Sequence, residues 1–326
     1  MARPLGLALL SVALVGCEHG ATSPERTSVT SPPAVHAGRA IIPEAIATYE
    51  GSGQVVHPDV VYTPTGFFAH TWHLVLTPYP AAGAVYESPS VYASDGGVTW
   101  RVEPGTENPV AAPKPERRGE DLSDPALVFV PESRELWLYY RSFTTDSDFI
   151  WLMRTSDAVH WSSPALVLAT GGGEALSPSV VHRTTDEWRM WTVSGHCGRG
   201  MDTHIDMRTS ADGLEWSAPL AVTLAGLSPW HVFVRWVESL SRWMLATNVK
   251  TQADSCLTKE LYLAFSTDGL VWTHGDDAWL VAGGDSLGLF GSVIYRSAFA
   301  EVGDSLRFWY SGAAMQYRTY SCKRGQ

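Results

Sequence analysis

Long apolar runs, basic clusters and cysteines are all scarce in this sequence, and each scarcity removes a class of protein. The 326-residue chain has one apolar stretch of note, Leu5–Val15, which is too short to span a bilayer as a helix. Charged residues make up 17 %, with 34 acids against 23 bases and a net charge of −11. The densest basic stretches are only Lys114–Arg118 and Lys323–Arg324, so no surface is set up to neutralise a phosphate backbone, and nucleic acid is excluded as a partner. No Walker A loop, dinucleotide GxGxxG, CxxC pair or HEXXH is present, which sets aside the chemistries those spacings serve. No amphipathic helix of useful length can be traced. At 45 % hydrophobic residues, the composition is that of a globular protein, neither disordered nor membrane-embedded.

What is present begins at the N-terminus. MARPLGLALLSVALVGC has one Arg, an apolar core and then Gly16-Cys17, the order of an export signal. Leu14-Val15-Gly16-Cys17 resembles the bacterial lipobox, which implies lipidation of Cys17 after removal of residues 1–16. Residues 17–38, rich in Ser, Thr, Pro and Ala, then read as a flexible tether. The expectation is an exported, lipid-anchored protein of the bacterial cell envelope, touching the membrane only through its anchor.

The remainder repeats. A tight turn followed by Trp occurs as SDGGVTW (94–100), TSDAVHW (155–161), SADGLEW (210–216) and STDGLVW (266–272); Asp-Gly supplies the turn and Trp packs beneath it. A short apolar strand opened by a Pro step occurs as VHPDVVY, LSDPALVF, LSPSVVH and LSPWHVFV, with LFGSVIY in the next slot. Between these elements lie the aromatic strands WHLVLTPY, LWLYYR, RMWTVSG, RWMLATN and RFWYSG. The opening positions 58, 125, 178, 229 and 291 are roughly 50–70 residues apart, a spacing that fits four-stranded propeller blades. The fifth copy stops short, and residues 39–46 are placed to supply its outer strand. The predicted fold is all-β: a five-bladed β-propeller of four-stranded antiparallel blades over residues 39–326, expected to be a monomer.

Blade order gathers particular residues at one channel mouth. The starts of strands one and three and the end of strand two share a face, which brings together His57, Asp59, Tyr79, Glu87, Asp124, Arg141, Glu174, Trp230 and His231. Cys197 and Cys256 fall in equivalent loops of neighbouring blades and are the favoured disulfide, with Cys256–Cys322 as the alternative. His196, Asp202, His204 and Asp206 cluster in sequence, but their spacing matches no defined metal motif, and no metal site is assigned.

The DP-type strand openings and SxDGxxW turns resemble the five-bladed propeller glycosidases, the group of arabinanases, xylosidases, invertases and levansucrases. The resemblance covers the whole domain. It implies a base or nucleophile Asp on the first opening strand, a supporting Asp in a DP step of blade two, and a general-acid Glu from blade three. Glycoside hydrolysis requires two carboxyl groups in different protonation states across the scissile bond. Asp124, followed by Pro125, matches the supporting Asp. Blade one departs, with His57 at the matching position and Asp59 two residues on, so either could be the base. Blade three has Ser177 where the acid is expected; Glu174, three residues earlier, and Glu87 are the candidates. Trp230, Arg141, Tyr79 and His231 are placed to bind sugar. The resemblance also allows a channel Ca²⁺, although no residue pattern here requires one, and no other cofactor is expected.

The expected function is hydrolysis of glycosidic bonds in an extracellular oligo- or polysaccharide, furanosides favoured. The departures in blades one and three suit a second reading, a noncatalytic glycan-binding propeller. A third, a protein-interaction propeller, would need a broad apolar face at the mouth.

Overall fold

The computed structural model describes residues 9–13, 41–112, 121–196, 200–252, 256–284 and 292–313. Within them the chain is almost wholly strand; helical structure is limited to short 3₁₀ turns at Pro80–Ala82, Ala84–Tyr86 and Glu238–Leu240. Among the described residues no helix is long and apolar enough to cross a membrane. Val, Ile, Leu, Trp and Tyr at alternating positions fill both faces of the inner strands, as the middle of a stacked sheet arrangement requires.

The strands form an all-β propeller of antiparallel sheets. The first sheet holds Val55–Phe67, His70–Pro78 and Ser90–Ser94. The second holds Leu122–Val130, Glu135–Phe143, Ser147–Thr155 and Ala165–Gly171. Leu176–Thr184, Glu187–Ser194, His204–Ser210 and Leu220–Ala221 make the third. The next is built on Pro229–Val237, Arg242–Lys250, Thr258–Ser266 and Val271–His274, with Leu280–Val281 and Thr223–Leu224 added at its edge. The last holds Val293–Val302, Ser305–Ala313, Leu9–Ala13 and Ile41–Glu44. The first strands of successive sheets are neighbours, and that of the last sheet returns to that of the first. Core side chains fill the wedges between adjacent sheets.

Five equal four-stranded blades are not what forms. Four sheets carry four or more strands, and the sheet that begins at Val55 carries three. After its turn the chain runs through RVEPGTENPVAA, where two prolines and a glycine interrupt any ladder, and only the single bridge Ala93–Arg101 is made. The Asn108 side chain takes the outer strand's place, accepting from Val91 N–H and donating to Val91 C=O. Ile41–Glu44 takes the outer edge of the last sheet, and the strand between it and Ser305–Ala313 is Leu9–Ala13, from the run read above as an export signal. Cys17 and Cys197 lie outside the described residues, as does Cys322. Cys256 is disulfide-bonded.

The Asp/Trp turns fasten each sheet to its neighbour on the face away from the mouth. In the third sheet Ser210 and Asp212 side chains accept the N–H groups of Gly213, Leu214 and Glu215, which closes the turn locally. Its Gly213 carbonyl then accepts from the Tyr139 hydroxyl of the second sheet. Likewise Gly269 of the fourth sheet accepts from Trp191 Nε1 of the third. Gly213 has φ +73°, and a Cβ there would lie 2.8–3.0 Å from Tyr139, Trp137 and Trp188.

Gly213→Ala combines a left-handed backbone with a steric clash and is expected to lower unfolding free energy by about 2–4 kcal/mol; urea unfolding checks this. Acid stability offers a second check. His73 is buried with Nε2 3.2 Å from Phe67 O, and burial lowers its pKa from 6.5 to about 4 against the opposing effect of that carbonyl. The folded state therefore keeps it neutral while the unfolded chain protonates it below about 6.5. The stability it contributes is present above that pH and is lost as pH falls toward 4, by roughly 3 kcal/mol. His73→Gln is expected to flatten the melting-temperature profile between pH 6.5 and 4.

Candidate functional site

Every opening strand is interrupted at its mouth end by a bulge. The ladder skips between Val56 and Asp59, Ser123 and Ala126, Leu176 and Ser179, Pro229 and His231, and Ile294 and Ser297. His57, Asp124 and Ser177 head three of these bulges with φ of +55°, +52° and +50°, a left-handed conformation that costs a non-glycine residue on the order of 1 kcal/mol or more. Proline follows each of them, and it has no N–H for the interrupted ladder to leave unsatisfied. The bulges re-aim side chains that would otherwise lie against a neighbouring sheet. LSDPALVF is thus a strand opening built to deliver the Asp124 carboxylate to the channel axis.

Around Asp124 the distances are uniform. His57 Nε2 is 3.5 Å and His231 Nδ1 3.6 Å from Oδ1, and Arg296 Nη1 is 3.7 Å from the same oxygen. Arg141 Nη1 is 3.9 Å from Oδ2. All these groups are buried. His57 Nε2, Asp124 Oδ1, both ring nitrogens of His231 and Arg296 Nη1 lack hydrogen-bond partners. One ligand atom each from His57, Asp124 and His231 lie within 4.8 Å of one another. Groups that close and that dry, yet unbonded, leave a gap into which several lone pairs point. Two imidazoles and a carboxylate suit a borderline divalent cation such as zinc or manganese. This trio is separate from the 196–206 cluster: His204 is exposed and lies 3.5 Å from Asp206.

The electrostatics sort the groups by protonation state. Burial lowers the His57 pKa from 6.5 to about 4, partly countered by Asp124, and lowers His231 well below 6.5 by the same balance. Burial works the other way on Asp124, but His57, His231, Arg296 and Arg141 outweigh it and hold the carboxyl well below its ordinary range. Glu87, whose Oε1 is 3.7 Å from His57 Nδ1, is raised well above 4.5 by burial, with Asp124 and Asp121 adding to the effect. Burial likewise raises the Tyr295 phenol. Near neutral pH the site holds neutral imidazoles, an ionised Asp124 and a phenol, with Glu87 biased toward its protonated form by burial.

The other expected site residues are distributed as follows. Arg141 is anchored by Asp148, with Nη2 and Nε 2.6 and 3.0 Å from Oδ1. Trp230 meets His231 edge-on at 6.1 Å, with Lys250 Nζ 5.4 Å from its ring centre. Tyr79 is half-buried close enough to affect Tyr295 electrostatically. Glu174 is exposed and turned back on its own loop, accepting from Gly171 N–H; it is not among the groups around Asp124. Asp59 lies one residue pair deeper than His57, fully buried, 2.8 Å from Arg235 and 3.8 Å from Arg296. Alignment of the last opening strand on Gly291 misses Arg296 and Tyr295, because the bulge falls at 295–296. Val293-Ile294 precede it as Val55-Val56 precede His57, and that apolar pair is the available signal.

No family model matches the chain. It is 25 % identical over 311 residues to the A type blood N-acetyl-α-D-galactosamine deacetylase of Flavonifractor plautii, a match that covers 79 % of this chain and 40 % of the relative. The chain thus spans about two fifths of the length of that relative. Among solved structures, an N-acetylgalactosamine deacetylase from F. plautii in complex with blood group B trisaccharide superposes with a TM-score of 0.76 at 24 % identity, covering 82 % of this chain and 84 % of that one. The xylan β-1,4-xylosidase of Bacillus halodurans gives 0.60 at 12 % identity, covering 80 % and 50 %. The α-L-arabinanase of Penicillium chrysogenum with arabinobiose gives 0.51 at 14 %, covering 80 % and 76 %. The propeller is therefore shared with the glycosidase group that the strand openings and turns resemble.

Removing the Asp59 carboxylate would strip the half-buried Arg235 of its carboxylate partner and leave the fully buried Arg296 with Asp124 alone. Asp59→Ala is expected to destabilise the protein by about 3–5 kcal/mol, measured by urea unfolding, whereas Glu174→Ala should change stability by less than about 0.5 kcal/mol.

Proposed function

We propose that this propeller removes the acetyl group from an N-acetylated sugar of a glycan, with a divalent cation held by His57, Asp124 and His231. The observation that carries the reading is that buried trio of unpartnered ligand atoms, two neutral imidazoles and a carboxylate, at the channel mouth. The deacetylase relative supports the substrate class. Two carboxylates bracketing a glycosidic bond would suit Asp124 less well, because two histidines and two arginines already enclose it.

A divalent cation bound there supplies polarisation of the amide carbonyl and a water of lowered pKa. The rest falls to side chains. Arg141 and Arg296 keep Asp124 ionised and in place. Arg296 Nη1, buried and without a hydrogen-bond partner, is a donor for the acyl oxygen. Glu87 holds a proton beside His57 and can deliver it to the departing nitrogen. Water adds to the acyl carbon, the C–N bond breaks, and acetate and the amino sugar leave. Trp230, Tyr79 and Tyr295 border the mouth as surfaces for the sugar ring.

A second reading keeps the glycosidase, with a furanoside-type glycan as substrate. The separation of Asp124, ionised, from Glu87, protonated, favours it, since glycoside hydrolysis needs one carboxyl of each kind. Both readings carry the proposal of export and a lipid anchor at Cys17 from the LVGC sequence, a processing step that would remove the Leu9–Ala13 strand from the last sheet.

The test is an acetate and free-amine assay on oligosaccharides bearing N-acetylgalactosamine or N-acetylglucosamine, alongside a reducing-end assay on arabinans and xylans. Acetate release that vanishes on chelation and returns with zinc or manganese is expected. Asp124→Asn and His231→Ala should each reduce it about 100-fold or more. New reducing ends without acetate would overturn the deacetylase in favour of the second reading.

A further inference from the structure

We infer that Thr77 is a positioning residue for His57, its hydroxyl accepting the Nδ1 N–H in the tautomer whose Nε2 lone pair binds a cation; the inference rests on the cation-site reading above. Thr77 is fully buried at the end of His70–Pro78, opposite Val56. The bulge at His57–Pro58 brings the imidazole beside it, with Nδ1 3.1 Å from Thr77 Oγ1.

A neutral imidazole has one N–H, and its position decides which nitrogen can act as a ligand. Of the two nitrogens, only Nδ1 has a hydrogen-bond partner; Nε2 faces Asp124 Oδ1 at 3.5 Å without bonding it. With the proton on Nδ1, the His57 N–H donates to Thr77 Oγ1 and Nε2 is free to bind. With the proton on Nε2, the N–H would point into the gap shared with Asp124 and His231, and no cation could be held there by this nitrogen. Glu87 Oε1 is 3.7 Å from the same Nδ1, farther than Thr77 Oγ1, so Thr77 is the group bonded there. Histidine ligands commonly donate their second ring N–H in this way, and loss of the outer partner weakens metal binding by about 10–100-fold.

Thr77→Val keeps the shape of the side chain and removes the hydroxyl; Thr77→Ser keeps the hydroxyl. Zinc and manganese titrations of the full propeller by calorimetry are expected to show affinity about 10–100-fold weaker in Thr77→Val and near wild type in Thr77→Ser. Nitrogen-15 shifts of His57 in the zinc-loaded protein should report a protonated, hydrogen-bonded Nδ1 in wild type and loss of that hydrogen bond in Thr77→Val. Equal metal affinity in wild type and Thr77→Val, or a metal-loaded wild type whose Nδ1–H is unbonded, would overturn the inference. Wild type that binds neither metal would instead defeat the cation-site reading itself, and this inference with it.

Discussion

The arrangement of the whole ring depends on a knot of buried charge on its axis. Asp59 of the first sheet contacts Arg235 of the fourth and Arg296 of the last. Arg235 also donates to Leu127 O of the second sheet and to Val180 O of the third. Arg296 donates to Pro178 O and reaches Asp124. Each sheet therefore has a stake in the same few groups. Charges this deep are tolerable only when paired and hydrogen-bonded, so the knot constrains how the inner strands must sit before any chemistry is considered.

The site is the upper layer of the same construction. The bulges that turn His57, Asp124 and Ser177 inward bring polar groups to a place where water is scarce, and dryness sets their protonation. It keeps the two imidazoles neutral and biases Glu87 toward its protonated form, while the arginines keep Asp124 charged. Their 3.5–3.9 Å spacings are too long for hydrogen bonds and too short for solvent to separate the groups. A pocket that leaves this many buried polar atoms unbonded is arranged for something that binds them.

The periphery solves a different problem. The Asp/Trp turns tie each sheet to the next by side chain–carbonyl bonds from Tyr139 and Trp191 and by packed indoles such as Trp137 on Trp188, 4.8 Å apart and stacked. These contacts are local, repeated and indifferent to chemistry, so the mouth can vary while the ring persists.

The sequence by itself determined the all-β repeat, because Asp-Gly turns, Pro-opened strands and period-two apolar patterning are local signals that survive without knowledge of their neighbours. It also placed His57, Asp124, Arg141, Glu87 and His231 at one mouth, since strand order alone brings them there. Tertiary structure decided the rest. Asp59 and Asp124 look alike in sequence, but one is bound to two guanidiniums below the site and the other is open to it. The trio of His57, Asp124 and His231 draws on three sheets, and no spacing along the chain expresses it. Arg296 and Tyr295 were hidden because a shift of a few residues in the last repeat moves the bulge, and register is fixed by pairing with Ser305–Ala313 rather than by composition. The missing fourth strand after Ser90–Ser94 was likewise settled by which backbone groups the Asn108 side chain could satisfy, a question that only the folded chain answers.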